Sequence, residues 1–198
     1  MAAKRKKSNV LRVVSVLCGC LGAGWLFARA WQEVIELFMG YRTNMSFIGY
    51  FFNTGLFPLA TLMAAILFFV VSIRDLSVMK DGTAVASLIV DAIVGVAFIL
   101  YFIRGFTAGS FGFGDFWFWY DVLRFILLLA YITYTLYCMN GSRTVGFAWT
   151  AAVLSAVGFI AAAVFGYVSK SINAANFIYI MISSLAHIAV FYCGLRQY

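Results

Sequence analysis

Charge is what this chain has least of. Only 11% of its 198 residues are charged, against roughly 25% in a soluble domain. Too little polar side chain is present to cover a water-facing surface, so lipid must cover it instead. Catalytic signatures are missing as well: there is no Gly-x-Ser-x-Gly, no His-Glu-x-x-His and no cysteine–histidine grouping, which removes the usual nucleophile and zinc-hydrolase arrangements. The four cysteines, Cys18, Cys20, Cys138 and Cys193, lie within or at the ends of apolar runs and show no four-ligand spacing. They read as small packing residues. Neither enzyme activity nor a cofactor nor a metal is therefore expected.

The net charge of +7 is no nucleic-acid footprint, because the basic residues are scattered between apolar runs rather than clustered. They read as topology signals. What the chain has in abundance is apolar sequence: 65% of residues are hydrophobic and 19% aromatic. A helix needs roughly 20 apolar residues to cross the ~30 Å hydrocarbon core, and six such stretches can be marked, at about 10–31, 46–73, 83–103, 116–138, 145–168 and 177–195. The expected fold class is all-α. It is a polytopic integral membrane protein, a single six-helix transmembrane domain over 10–198 preceded by a basic cytoplasmic tail at 1–9.

That tail and the apolar run after it imitate a secretory signal, and Leu17-Cys18-Gly19-Cys20 imitates a lipoprotein box. The apolar stretch continues through Trp25 and Phe27, which favours an uncleaved first span with Arg12 and Arg29 snorkelling to opposite interfaces. Six spans place both termini on one side. With the N-terminus inside, that side holds Lys4, Arg5, Lys6, Lys7, Arg12, Arg74, Lys80, Arg143 and Arg196, and the other holds Arg29, Arg42, Arg104, Lys170 and, at depth, Arg124. The excess obeys the positive-inside rule, giving an N-in, C-in orientation in a membrane, the inner membrane if the host is bacterial. Asn44-Met45-Ser46 on the outer side fits a glycosylation acceptor if the host is eukaryotic.

Between spans one and two, Glu33, Glu36 and Arg42 among Val34, Ile35 and Leu37 suggest a helical extension or interfacial turn. Pro58 falls inside the second stretch, where it should collide with the carbonyl of Thr54 and kink the helix. The Asn53-Thr54-Gly55 triplet before it marks either a bare kink or a discontinuous binding helix. The 104–115 segment alternates Gly105, Gly109, Gly112 and Gly114 with Phe106, Phe111 and Phe113. It reads as a loop lying on the bilayer or folded back over the bundle. Gly112-x-Gly114 lacks the strand–helix context of a nucleotide site. Small residues at helical spacing on span one (Cys20, Gly24, Ala28) and span five (Ala151, Ser155, Gly158, Ala162, Gly166) predict close helix packing. The aromatic-rich ends of spans two, four and six, each followed by arginine, suggest three hairpins or one interface rule applied three times.

The fourth stretch is the most informative. After Phe116-Trp117-Phe118-Trp119-Tyr120, an interfacial aromatic run, it carries Asp121 and Arg124 three apart on one face, continued by Leu128, Tyr131, Thr135 and Cys138. A polar stripe on a membrane helix must face other helices or a cavity. The intramembrane polar inventory is thus Asn53, Asp91, Asp121, Arg124 and His187. Asp121 and Arg124 are read either as an internal ion pair or as the wall of an outward-facing pocket shared with Asn53 and Arg104. Asp91, flanked by Ser87 and Gly95 with no opposite charge within a turn, is either a proton- or cation-binding carboxylate or a packing residue. His187, with Ser183 and Ser184 one turn earlier, is a satisfied core histidine or a partner for Asp91.

Two functions fit these features. The first is a non-enzymatic protein that works by helix packing and partner binding, with the bilayer, a membrane-protein partner or a second copy as its contacts. The second is a carrier of a small solute or ion, or the substrate-binding membrane subunit of a larger transporter, with a polar pocket in the outer half of the bundle. In size and six-span layout the chain is similar to the vitamin-binding membrane subunits of energy-coupling-factor transporters. No ligand motif of that family occurs, so the resemblance implies architecture and no site residues.

Overall fold

The computed structural model describes residues 2–39, 56–74, 82–140 and 145–196, and every regular element among them is an α-helix. In chain order these are α1 (Ala2–Phe38), α2 (Phe57–Arg74), α3 (Gly82–Thr107), α4 (Phe116–Asn140), α5 (Val145–Val168) and α6 (Ala174–Arg196). Five stretches are long and apolar enough to cross a membrane: Val13–Glu36, Gly82–Thr107, Phe116–Met139, Val145–Val168 and Ala174–Leu195. The sixth, Phe57–Val70, is shorter. This is the make-up of a multi-pass, membrane-integral protein.

Local chemistry sets the helix ends. Asp115 caps α4, its Oδ1 accepting the Trp117 N–H at 3.1 Å, and Asn173 caps α6, its Oδ1 accepting the Asn176 N–H at 2.8 Å. α3 and α5 both finish in Schellman turns. In the first, Ser110 N–H donates to Gly105 O and Gly109 N–H to Phe106 O; in the second, Ser171 N–H donates to Gly166 O and Lys170 N–H to Tyr167 O. Gly109 takes the left-handed φ of 64° that the motif requires, and Lys170 takes φ 59° at the equivalent position.

The helices are arranged as three hairpins in two tiers. α1 packs on α2 and α6, α3 on α2 and α4, and α5 on α4 and α6. α2 also touches α4 and α6, and side chains link α4 to α6. The even-numbered helices therefore form an inner triangle, and each odd-numbered helix covers one of its seams. Burial follows this division, with α4 and α6 buried over a larger share of their length than α1, α3 or α5. The outer helices present Leu17, Leu21, Ile89, Ile93, Leu154 and Val157 outward, a surface suited to hydrocarbon rather than water.

Several sequence expectations are corrected here. The basic segment is helical and continuous with the first apolar stretch, α1 running from Ala2 to Phe38. Pro58 does not kink a long helix. It sits in the first turn of α2, where its missing N–H would have had no intrahelical partner; Thr54 and the Asn53-Thr54-Gly55 triplet lie outside the described residues. The small-residue stripe of α1 is also displaced. Gly19, Gly22, Ala23, Leu26, Ala30 and Val34 are the buried positions; of the expected stripe Cys20 is half-buried against that core, Gly24 is half-buried with nothing within 4 Å of its Cβ position, and Ala28 is exposed. On α5, Ser155 and Gly166 are buried as expected, and Gly158 meets Leu123.

The 108–115 connection folds back on the α3–α4 hairpin. Phe111 rests directly on Gly105 and packs against Tyr101, Phe102, Phe106 and Phe118 at centroid distances of 5.1–5.9 Å. Trp119 Nε1–H donates to Phe113 O at 2.8 Å, fixing the turn.

The α1–α6 contact yields a direct test. A Cβ on Gly22 would lie 2.8 Å from the Ala186 carbonyl oxygen, while one on Gly24 would meet nothing within 4 Å. Gly22→Leu is expected to cost about 1–3 kcal/mol by overpacking, and Gly24→Leu less than about 0.5 kcal/mol, in thermal unfolding of the detergent-purified protein.

Candidate functional site

Each inner helix contributes one polar side chain to a common point on the bundle axis. These are Thr61 on α2, Tyr131 on α4 and His187 on α6. Tyr131 is 1% exposed. Its hydroxyl bonds His187 Nε2 and lies 3.3 Å from Thr61 Oγ1. The protonation pattern follows from the carbonyl at the other end of the ring. His187 Nδ1 is 2.6 Å from Ser183 O, and a carbonyl only accepts, so Nδ1 carries the hydrogen. In the neutral imidazole Nε2 is then the acceptor. Tyr131 therefore donates to His187 with Thr61 Oγ1 also beside its hydroxyl, and Thr61 in turn donates to the Phe57 carbonyl one turn back on its own helix at 3.5 Å.

Nearer the start of α4, Asp121 has both oxygens occupied. Tyr101 O–H donates to Oδ2 at 2.8 Å, and Arg124 Nη1 donates to Oδ1 at 3.3 Å. The guanidinium of Arg124 stacks over the Phe57 ring, 4.6 Å from its centroid, a cation–π contact. The internal ion pair of the sequence reading is present, and it is tied to α3 through Tyr101 and to α2 through Phe57. Arg104 does not join it; that side chain is exposed in the last turn of α3. On the far side of the same end, Tyr179 O–H donates to Glu33 Oε1 at 3.3 Å, and Arg29 stacks on the Tyr179 ring at 4.6 Å. Tyr120 lies within electrostatic range of Arg124, Tyr179, Glu33 and Asp121. Polar groups from α1, α3, α4 and α6 thus converge at the end of the bundle where α4 begins.

The opposite end is filled by rings. Tyr134 and Tyr137 are among the largest fully buried side chains. Tyr134 packs edge-on against Phe191 at 5.8 Å and against Gly194, Tyr137 O–H donates to Leu195 O at 3.2 Å, and Phe68 sits on Gly19 and Cys193. The axis therefore runs from an end where the charged groups lie beside the Phe102–Phe111–Phe118 cluster, through the Thr61–Tyr131–His187 junction, to an end filled by rings.

Asp91 is the outlier. It is fully buried at 0% exposure, and neither carboxylate oxygen has a hydrogen-bond partner among the described residues. An Asp91–His187 contact is not formed, since both imidazole nitrogens are taken by Tyr131 and Ser183. Asp91 approaches that cluster only through Tyr131, which lies within its electrostatic reach. Of the five residues singled out in the sequence, the structure joins Asp121 to Arg124, places Asp91 and His187 on two sides of Tyr131, and leaves Asn53 outside the described residues. Glu33, Tyr101, Tyr120 and Tyr179 were missed, although each lies within the aromatic or charged flank of a span. Ser184 O–H donates to Ile180 O at 2.7 Å, and Ser183 meets the imidazole through its carbonyl. The cysteines are free thiols, and no group of three metal-ligating side chains occurs among the described residues.

No protein-family model, curated protein or solved structure matches the chain. The likeness of layout to the vitamin-binding transporter subunits is accordingly not accompanied by a match in sequence or in fold.

The junction at Tyr131 is expected to bear on stability. Tyr131→Phe removes the donor to His187 and leaves its buried Nε2 unsatisfied, at a cost of about 1–3 kcal/mol. Tyr167→Phe, at a half-exposed ring on α5, should stay within about 0.5 kcal/mol. Unfolding midpoints of the two variants in the same detergent compare them directly.

Proposed function

We propose that the chain is a six-span membrane protein with both termini in the cytoplasm that binds a small polar solute or ion in the outer half of its bundle, acting as a carrier or as the substrate-binding membrane subunit of a larger transporter. One observation carries this reading. Asp121, Arg124, Tyr101, Tyr120, Glu33 and Tyr179 are brought together from four helices at one end, while Tyr134, Tyr137, Phe68 and Phe191 fill the other. A protein held together by packing alone gains little from gathering charges at one end of a lipid-embedded bundle, where each costs at least a few kcal/mol unless paired or hydrated. Arranged in this way, the charges form a polar mouth above a closed floor. In the N-in orientation that mouth faces outward.

A second reading, a partner-binding role, is favoured by α1. Ala28 is exposed and half-buried Gly24 has open space at its Cβ position, which permits close approach by a helix of another protein.

The two readings separate in one experiment. Native mass spectrometry and a thermal-shift screen of the detergent-purified protein against vitamins, amino acids and ions are expected to reveal a reproducible ligand. Its stabilising effect should fall at least tenfold in apparent affinity in Asp121→Asn or Arg124→Gln. A stoichiometric co-purifying protein, released by Gly24→Leu and with no ligand found, would favour the partner-binding role instead.

A further inference from the structure

We infer that Asp91, with the hydroxyls of Ser87 and Thr135, forms a binding site for a small monovalent cation, of the size of Na⁺, in the seam between α3 and α4. This goes beyond solute binding at Asp121 and Arg124, and it stands or falls separately from it.

The register of the two antiparallel helices locates the site. Ser87 Oγ lies 3.3 Å from Thr135 Oγ1, and a Cβ on Gly95 would lie 3.7 Å from Leu128 Cδ2. Asp91, midway between Ser87 and Gly95 on one face of α3, therefore stands opposite Tyr131 on α4, within whose electrostatic reach it lies. Asp91, Tyr131 and His187 are each nine residues from the end of their helix, at Gly82, Asn140 and Arg196 respectively. That is about 14 Å of helix at 1.5 Å per residue, so the carboxylate lies deep in the bundle.

Four observations point to a cation. Both oxygens of Asp91 are sealed from solvent and lack a protein donor among the described residues, yet a buried carboxylate persists only when its charge or its lone pairs are met. The nearby donors are committed elsewhere, Tyr131 to His187 and Arg124 to Asp121 and the Phe57 ring. Ser87 and Thr135 bond one another at 3.3 Å across the seam, one turn from Asp91 on α3 and from Tyr131 on α4, so two neutral hydroxyl oxygens lie beside the carboxylate. Finally, Gly95 contributes no side chain beside the carboxylate, and its missing Cβ would make only an ordinary contact.

The donor set fixes the class of ion. Carboxylate and hydroxyl oxygens are hard ligands and disfavour soft metals. One carboxylate neutralises one positive charge, so a divalent ion would leave a net charge buried in the bundle. A larger monovalent ion would have to push further apart two hydroxyls that are close enough to bond one another.

The test uses the full chain in nanodiscs, with choline replaced by Na⁺ or K⁺ at constant ionic strength. The unfolding midpoint is expected to rise saturably with Na⁺ and to respond less to K⁺. Asp91→Asn should abolish the Na⁺ response, and Ser87→Ala should weaken its apparent affinity several-fold while leaving the fold intact. Infrared difference spectra between Na⁺ and choline should show an ionised-carboxylate band that Asp91→Asn removes. Absence of a Na⁺-specific shift in the native chain would overturn the proposal, as would an unchanged shift in both variants. So would a protonated-carboxyl band assigned to Asp91 and insensitive to Na⁺, which would identify a proton as the occupant.

Discussion

A polar group inside hydrocarbon has to find its partner within the protein, and that requirement decides which helices of this bundle are inside. Thr61, Tyr131 and His187 come from three different helices and meet at one point. A helix carrying one of these groups cannot turn it toward lipid without losing a hydrogen bond that no solvent replaces. The Tyr131–His187 bond ties α4 to α6, and Thr61 brings α2 to the same point. α1, α3 and α5 cover the seams between them and expose mainly aliphatic and aromatic side chains. The arrangement of three hairpins follows from that division, since each hairpin contributes one inner and one outer helix.

Along the axis the same requirement gives the bundle two unlike ends. Where α4 begins, carboxylates and arginines are matched by one another and by tyrosine hydroxyls and rings. Where it finishes, the interior is closed by Tyr134, Tyr137, Phe68 and Phe191, and glycines at 19 and 194 let the rings approach backbone. Asp91 belongs to neither end. It lies at the depth of the polar junction, held in the α3–α4 seam, and neither of its oxygens has a hydrogen-bond partner among the described residues.

The class of the protein, the helical content and the stripe on α4 were legible in the sequence because they rest on composition and on a short period. Leu128, Tyr131, Thr135 and Cys138 repeat close to the helical turn, and all four are buried. Asp121 and Arg124, three apart on one helix, could be paired without knowledge of any other element. The links between helices were not legible. Tyr101 to Asp121, Tyr179 to Glu33 and Tyr131 to His187 join residues 20, 146 and 56 positions apart, and no local pattern encodes them. The choice of buried face on α1 was misread for a related reason. Several small residues sit on more than one face of α1, and Gly22 rather than Gly24 meets α6 because of where Ala186 lies. Pro58 was placed inside a helix because apolar residues continue on both sides of it, although proline favours the first turn.

The account depends on the inner helices being shielded from lipid by the outer ones. Spin labels introduced one at a time into a cysteine-free background in nanodiscs test this most directly, by comparing accessibility to lipid-dissolved oxygen with accessibility to a water-soluble relaxant. Labels at Ile93 and Leu154 should be accessible to oxygen alone, and labels at Ala64, Ala130 and Ala186 should be protected from both reagents. Oxygen accessibility at Ala64 or Ala130 equal to that at Leu154 would contradict the account.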